Sequence, residues 1–490
     1  MKNVVYNLLS KLYTGKASGP GLPGETIAAY NAARSKPNAT HICHAPFSNM
    51  YFNVHGDCAP CWLTFIEPDS YPVKSIRDIW FGEKYQSLRN HLLQYDLTHK
   101  CNVCLKNLQG GNYTSVLARA YDINEPAEYP SMMELELSNT CNLECVMCIG
   151  ELSSSIRKNR DHLPAMKNAY DDNFVQQLEE FIPHLKELRF NGGEPFLINA
   201  VFKIFEKVEK LNPKLKIVIA TNGTVMNYKV KEWLGKLNIH INFSLDSLTP
   251  DIYETIRVNA HFDRVMEHFL FYRDYTKANN RTMCLMVNPM RNNWHEMPEF
   301  IRFVNTHNIN IWFNTIHRPV EWAIWSLPRQ ELSKVYEQLS RVQFSKEDKQ
   351  GSLSSYNLNI YKNLVSVQIK NWLSEATESE VKKVTEVSVV TEAEAKELFE
   401  KKMTEFVYAK FNEGEEQKKY RLQNLFLKIN KLTEAIKEKN GVVDFYKSVL
   451  MSPTDIFYQE LETQSVNTLA ENFEIHFVQP PTVRLKTVPS

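Results

Sequence analysis

Met132-Met-Glu-Leu-Glu-Leu137, a short alternating run that reads as a strand, leads into Cys141-Asn-Leu-Glu-Cys145-Val-Met-Cys148. Three thiolates within eight residues, in a loop leaving a strand, can hold three corners of an iron–sulfur cube. The fourth iron would then have no protein ligand and could bind a small molecule. A zinc site, or three unrelated buried cysteines, is the competing reading of the cysteines alone.

From Met132 to about Pro319 short apolar strands alternate with helical patterns. Strands are expected at Met133–Leu137, Glu187–Asn191, Leu215–Ala220, Ile239–Ser244, Met283–Asn288 and Ile309–Thr315. Helices are expected near Asn173–Leu185, Ala200–Leu211, Tyr228–Leu237, Phe262–Ala278 and Met297–His307. Such alternation implies a parallel sheet with right-handed crossovers. Barrels of this kind place their chemistry at the carboxyl ends of the strands, and unusual residues do cluster there. After the cysteines come Gly192-Gly193-Glu194-Pro195, Thr221-Asn222-Gly-Thr224, Leu245-Asp246-Ser247, Asn288-Pro-Met and Asn314-Thr-Ile-His317.

With the cysteine spacing and the glycine pair in place, the chain resembles the radical S-adenosylmethionine (radical SAM) superfamily. The resemblance implies an α/β fold, a partial (β/α)6 TIM-type barrel at 130–320. It implies a [4Fe-4S] cluster on Cys141, Cys145 and Cys148, and S-adenosylmethionine bound at its open iron. Gly192, Gly193 and Glu194 would hold the amino group of the methionine moiety, Ser244 and Asp246 the ribose, and Arg257 the carboxylate. Thr221 and Asn222 would line the pocket, although Asn-Gly is also a plain turn. Met147 stands where relatives often carry an aromatic residue, and its thioether could pack on adenine. Arg257 read alone is an ordinary helix-surface arginine. The implied chemistry is reductive cleavage of S-adenosylmethionine to a 5′-deoxyadenosyl radical that abstracts a substrate hydrogen. Flavodoxin or ferredoxin would supply the electron.

Eight of the nine cysteines lie between Cys43 and Cys148, and Cys284 reads as a core residue. The segment 41–110 allows two readings. Cys58-x2-Cys61 with Cys101-x2-Cys104 would make a structural zinc site. Alternatively Cys43, twelve residues, Gly56, four residues and Cys61 resemble the opening of the twitch and SPASM auxiliary-cluster modules. That resemblance implies a second [4Fe-4S] cluster on Cys43, Cys61, Cys101 and Cys104, with Cys58 spare. The module here precedes the barrel, whereas in most relatives it follows. His41, His44 and His55 are nearby, and none is assigned as a ligand.

The 490 residues carry no net charge, which points away from nucleic acid and anionic membranes. No apolar run approaches the ~20 residues of a membrane helix. A cytoplasmic protein is expected. Residues 1–40 read as a helix and loop, with Met1–Tyr13 a poor signal peptide. Composition shifts near Phe344–Asp348, and 345–490 reads as mainly helical, ending in an extended tail from Val478. Relatives with one auxiliary cluster modify ribosomally made peptides, or oxidise small molecules such as sugars and amino-alcohols. A peptide is the first expectation, a small molecule the second, and a non-catalytic metal scaffold the alternative of another class. The substrate atom attacked and the catalytic acid or base are not readable.

Overall fold

The structure is a computed structural model. It describes residues 21–34 and 41–437, except 65–68, 99, 114–115, 123, 317–318, 346–347, 349–350, 377–390 and 412, with scattered positions in 442–469. The expected helix at Met1–Tyr13, His317 and the tail from Val478 lie outside the described residues.

Eight strands form one sheet: β1 Asn49–Phe52, β2 Cys58–Ala59, β3 Met132–Leu135, β4 Glu187–Phe190, β5 Lys216–Thr221, β6 Ile239–Ser244, β7 Met283–Val287 and β8 Asn310–Phe313. Their order is β2-β1-β3-β4-β5-β6-β7-β8. All neighbours are parallel except the β1–β2 hairpin. Helices Asp172–Phe181, Asn199–Leu211, Tyr228–Lys236, Phe262–Ala278 and Met297–His307 return the chain between the strands β3 to β8. The helix ends follow their caps: Asp171 accepts from the Phe174 N–H, and Asn227 from the Val230 N–H.

Alternate strand residues face the helices, as the period of two requires. Phe190 meets Phe205 at 5.7 Å between ring centroids, and Phe243 meets Phe269 at 5.6 Å. Each such fully buried side chain contributes about 1.5–3 kcal/mol. The alternate residues on the inner face are half-buried, the polar His240, Asn242 and Ser244 along β6 and Cys284 and Met286 along β7.

The sequence predicts six strands from Met132 onward, with the cysteine-rich segment as a separate small domain. The structure instead continues the sheet into that segment. β1 pairs with β3 from Asn49↔Met132 to Phe52↔Leu135, covering an edge that would otherwise expose unpaired backbone groups. Gly56 turns the hairpin at φ +92°, and a side chain there would run into the Tyr71 carbonyl.

Residues 352–375, grouped by composition with the C-terminal region, pack into the barrel's core through Leu358, Tyr361, Leu364 and Ile369. Asn357 accepts from the Ile311 N–H at 3.2 Å and donates to the Ile309 carbonyl at 3.0 Å, closing the β8 edge. A second core starts at Ala395, where Phe399, Met403 and Val407 meet Leu425, Ile429 and Leu432. Among the described residues no helix is long and apolar enough to cross a membrane.

Candidate active site

The cysteine loop leaves the carboxyl end of β3 and is held by its own backbone. Ser154 Oγ accepts from the Cys141 N–H at 3.2 Å, and Ser155 Oγ donates to the Cys141 carbonyl at 2.8 Å. Ser153 Oγ donates to the Leu143 carbonyl at 2.6 Å and accepts from Ile156 N–H, capping the helix Ser154–Asn159. The Arg160 guanidinium donates to the carbonyls of Cys145 and Cys148. The N–H groups of Glu144 and Val146 reach the carbonyls of Val258 and Ile256, at 3.0 and 2.9 Å, tying the loop to both sides of Arg257. None of Ser153, Ser154, Ser155 or Arg160 stands out in the sequence. The triple serine ahead of a helical run was the available signal.

Burial pushes all three thiols up, Cys145 to about 11 and Cys148 to about 12. Arg257 lowers Cys145 while Cys141 raises it, and Cys145 and Cys141 both raise Cys148. Burial thus favours the neutral thiols, and a metal bound here would have to displace their protons. The donor set fits an iron–sulfur cube with one open corner. Asn222 Nδ2 donates to Cys141 Sγ at 3.8 Å and Arg257 Nη1 to Cys145 Sγ at 3.9 Å.

The other residues expected to bind S-adenosylmethionine divide into two groups. Asn222, Ser244 and Met147 remain near the loop or on the inner face, partly accessible or, for Asn222, beside the Cys141 thiol. Glu194 is different. It is fully buried, accepting from Thr221 Oγ1 at 2.9 and 3.0 Å, Asn222 N–H at 2.7 Å and Phe196 N–H at 3.2 Å. Burial pushes its carboxyl up to about 7. Glu194 thus ties the end of β4 to the end of β5, with the Thr221 hydroxyl donating to it. Gly192 and Gly193 have φ +72° and +52°, and a Cβ on Gly193 would sit 2.5 Å from the Thr140 carbonyl oxygen. Their close approach is to Ser138–Thr140, the run into Cys141, where the Glu194 N–H also bonds the Thr140 carbonyl at 2.8 Å. Asp246 and Arg257, expected on ribose and carboxylate, are buried and paired with each other at 2.7 Å. Asp246 also accepts from Asn288 N–H at 2.7 Å.

At the opposite end of the sheet, Cys43, Cys61, Cys101 and Cys104 line one small cavity, closed by Leu63, Leu92, Leu97 and Tyr121. Cys43 precedes β1, and the hairpin register brings Cys61 back beside the start of that strand. Since β1 and β3 run parallel, this cavity sits at the amino end and the Cys141 loop at the carboxyl end. Burial pushes the four thiols up, Cys61 to about 12. Around them, Ala45 N–H donates to Cys43 Sγ at 3.4 Å and Thr64 Oγ1 lies 3.9 Å from Cys101 Sγ. Cys58 is outside this cavity, with Sγ 3.8 Å from the Tyr85 hydroxyl. His44 Nδ1 bonds the Asn124 carbonyl at 2.7 Å, His41 packs on Phe47, and His55 pairs with Glu151 at 2.8 Å.

A three-thiol loop thus stands over a glycine turn at the carboxyl end of the parallel sheet, and a four-thiol cavity stands at its amino end. Residues 135–304 match the radical SAM superfamily, and residues 43–105 match SPASM, an iron–sulfur cluster-binding domain. The chain carries a radical SAM domain over residues 135–304 and a SPASM iron–sulfur domain ahead of it. Its cofactors are S-adenosylmethionine, the [4Fe-4S] cluster that binds it, and an auxiliary iron–sulfur cluster.

Among curated relatives, GTP 3′,8-cyclase of Streptomyces coelicolor is 30% identical over 134 residues, 27% of this chain and 38% of that protein. GTP 3′,8-cyclase of Limosilactobacillus fermentum is 21% identical over 182 residues, covering 37% and 52%. Molybdenum cofactor biosynthesis protein 1 of Dictyostelium discoideum is 25% identical over 196 residues, covering 40% and 30%. The chain thus spans about a third to a half of the length of these relatives. Among solved structures, Streptococcus suis SuiB is similar at TM-score 0.33 and 14% identity, covering 53% of this chain and 52% of that one. Native anSMEcpe with bound AdoMet is similar at TM-score 0.33 and 16% identity, covering 43% and 61%.

Proposed function

We propose that this radical SAM enzyme modifies a ribosomally made peptide by oxidising it at one residue. The observation that carries the reading is the pair of cysteine sites at opposite ends of adjoining strands, with the inner face of the barrel between them. That face presents the carboxamides of Asn191, Asn242, Asn310 and Asn314, none with a side-chain hydrogen bond among the described residues. Trp312, 46% exposed, stands among them. Carboxamides both donate and accept, which suits the N–H and C=O groups of a peptide, and an exposed indole offers a flat apolar platform.

Cys141, Cys145 and Cys148 would hold the catalytic cluster, and Cys43, Cys61, Cys101 and Cys104 the auxiliary one. When bound and reduced, the cluster and S-adenosylmethionine supply a 5′-deoxyadenosyl radical that takes a hydrogen atom from the substrate. The chain's own part is positional. Ser153–Ser155 and Arg160 fix the loop carbonyls, Asn222 and Arg257 face the thiols, and Glu194 locks the floor. An external one-electron donor such as flavodoxin or ferredoxin completes the scheme, in the cytoplasm. The reading is tested by incubating loaded enzyme, reductant and S-adenosylmethionine with candidate precursor peptides. A two-hydrogen mass loss on one peptide, with 5′-deoxyadenosine formed in step, supports it. Mass change confined to small molecules would replace it.

The second reading is radical chemistry on a small molecule such as a sugar or amino-alcohol. The curated relatives named GTP 3′,8-cyclase support it.

A further inference from the structure

Two carboxyls, one on the inner face of β3 and one just past its end, take no part in holding either cysteine site. Glu134 and Glu136 lie two residues apart along the run of β3, whose faces alternate, about 7 Å along one side. Glu134 is fully buried. Its Oε1 accepts from Asn49 Nδ2 at 3.1 Å and lies 3.5 Å from the Tyr121 hydroxyl, and Arg189 Nη1 is 3.6 Å from Oε2. Glu136 accepts from the Tyr51 hydroxyl at 2.8 Å.

The ends of this column matter. Tyr121 also lines the four-cysteine cavity. Glu136 lies under Gly192, where a Cβ would be 2.9 Å from the Glu136 Cβ, beside the run into Cys141. Tyr121 and Glu134 therefore stand on the side of the four-cysteine cavity and Glu136 with Tyr51 on the side of the Cys141 loop, the two pairs about 7 Å apart along the strand and within electrostatic reach of each other. If these groups only stapled β1 to β3, glutamine would serve at less cost, because burying an ionisable carboxyl is expensive.

The charge around the column favours proton uptake. Burial pushes Glu136 up to about 7, Glu134 and Glu151 raise it further, and Tyr51 and His55 oppose. Tyr170 faces the same carboxyl. Burial also raises Glu134, with Glu187 adding and Arg189, Asn49 and Tyr121 opposing. A carboxyl poised near neutrality can both take and return a proton.

We propose that Glu136 accepts the proton a substrate loses on oxidation, and that the Glu134–Tyr121 column couples this proton to an electron arriving at the auxiliary site. The inference rests on the radical oxidation proposed above. In the balance, one substrate hydrogen leaves as an atom to the 5′-deoxyadenosyl radical. The substrate radical then gives one electron to the auxiliary cluster and one proton to Glu136. The substrate loses two hydrogens, and S-adenosylmethionine ends as methionine and 5′-deoxyadenosine.

The test needs no substrate. Reduction of the auxiliary site adds negative charge, which raises the proton affinity of nearby carboxyls, so its midpoint potential should fall as pH rises through neutrality. The measurement is a redox titration of the holoenzyme followed by electron paramagnetic resonance, reading the cluster signal that added S-adenosylmethionine leaves unchanged. The wild type should show the fall, and Glu136→Gln should lose most of it. Tyr51→Phe, which removes the donor that lowers Glu136, should move the fall to higher pH and serves if Glu136→Gln does not fold. A pH-independent wild-type potential, or an equal slope in Glu136→Gln, overturns the inference while leaving the radical reading intact. Absence of any S-adenosylmethionine-insensitive cluster signal overturns both.

Discussion

Arg257 Nη2 lies 2.7 Å from Asp246 Oδ2, and Nη1 of the same guanidinium lies 3.9 Å from Cys145 Sγ. One buried cation thus joins the loop after β6 to a thiol of the cysteine loop. Removing one partner strands the other without solvent. Arg257→Ala should cost roughly 3–5 kcal/mol, as breaking a buried pair does, read as a fall in the unfolding midpoint. Binding of S-adenosylmethionine to loaded enzyme should also weaken. Asp246→Asn should be milder, because Asn keeps an acceptor for the Asn288 N–H and for Arg257.

Gly193 should not tolerate a side chain. Its φ is +52°, and an added methyl carbon would lie 2.5 Å from the Thr140 carbonyl oxygen, so Gly193→Ala is both strained and blocked. The backbone strain alone is of order 1–3 kcal/mol. The displaced segment is Ser138–Thr140, so iron retained per chain should fall along with stability, and iron analysis beside a melting curve checks both.

The five cysteines of the first module should separate cleanly. Cys61→Ala or Cys104→Ala should lower iron from about eight per chain towards about four, the content of one cubane. Cys58→Ala should keep the full iron, because Cys58 faces Tyr85 outside the cavity. Iron and sulfide analysis after anaerobic reconstitution gives the answer. Zinc retained in place of the second cluster would reject an auxiliary redox site there.

Glu194 makes stability depend on pH with a definite sign. Burial raises its carboxyl from the ordinary 4.5 to about 7, so the folded state holds a proton that the unfolded state has released. Stability should be greatest below the lower value, fall as pH rises between the two, and level off above about 7. Glu194→Gln cannot ionise and should flatten the fall, by a few kcal/mol at most on the scale of about 1.4 kcal/mol per pKa unit. Urea unfolding at a series of pH values reads the difference.

Ser153→Ala removes a helix cap and a bond to the Leu143 carbonyl together. The cap alone is worth about 0.5–2 kcal/mol. The melting midpoint should fall while the secondary structure stays native by circular dichroism.

What the sequence by itself determined was local. The strands from β3 to β8 could be read because short apolar runs alternate with helical patterns, with strict alternation along β6, β7 and β8, and helix ends because Asp171 and Asn227 supply their own caps. The loop Cys141–Cys148 could be read because its thiols are close in the chain. Which side chains meet across the chain was decided only by the tertiary structure. Nothing local indicates that Asn49–Phe52 adds to the edge of β3, since strand pairing depends on which edge is free. That Arg257 pairs with Asp246 is decided by the fold, since nothing in either stretch of sequence shows it. The donors that Thr221 and Asn222 give to the buried Glu194 carboxylate are likewise set by packing. Burial and long-range pairing are properties of the packed chain, and no short stretch of residues carries them.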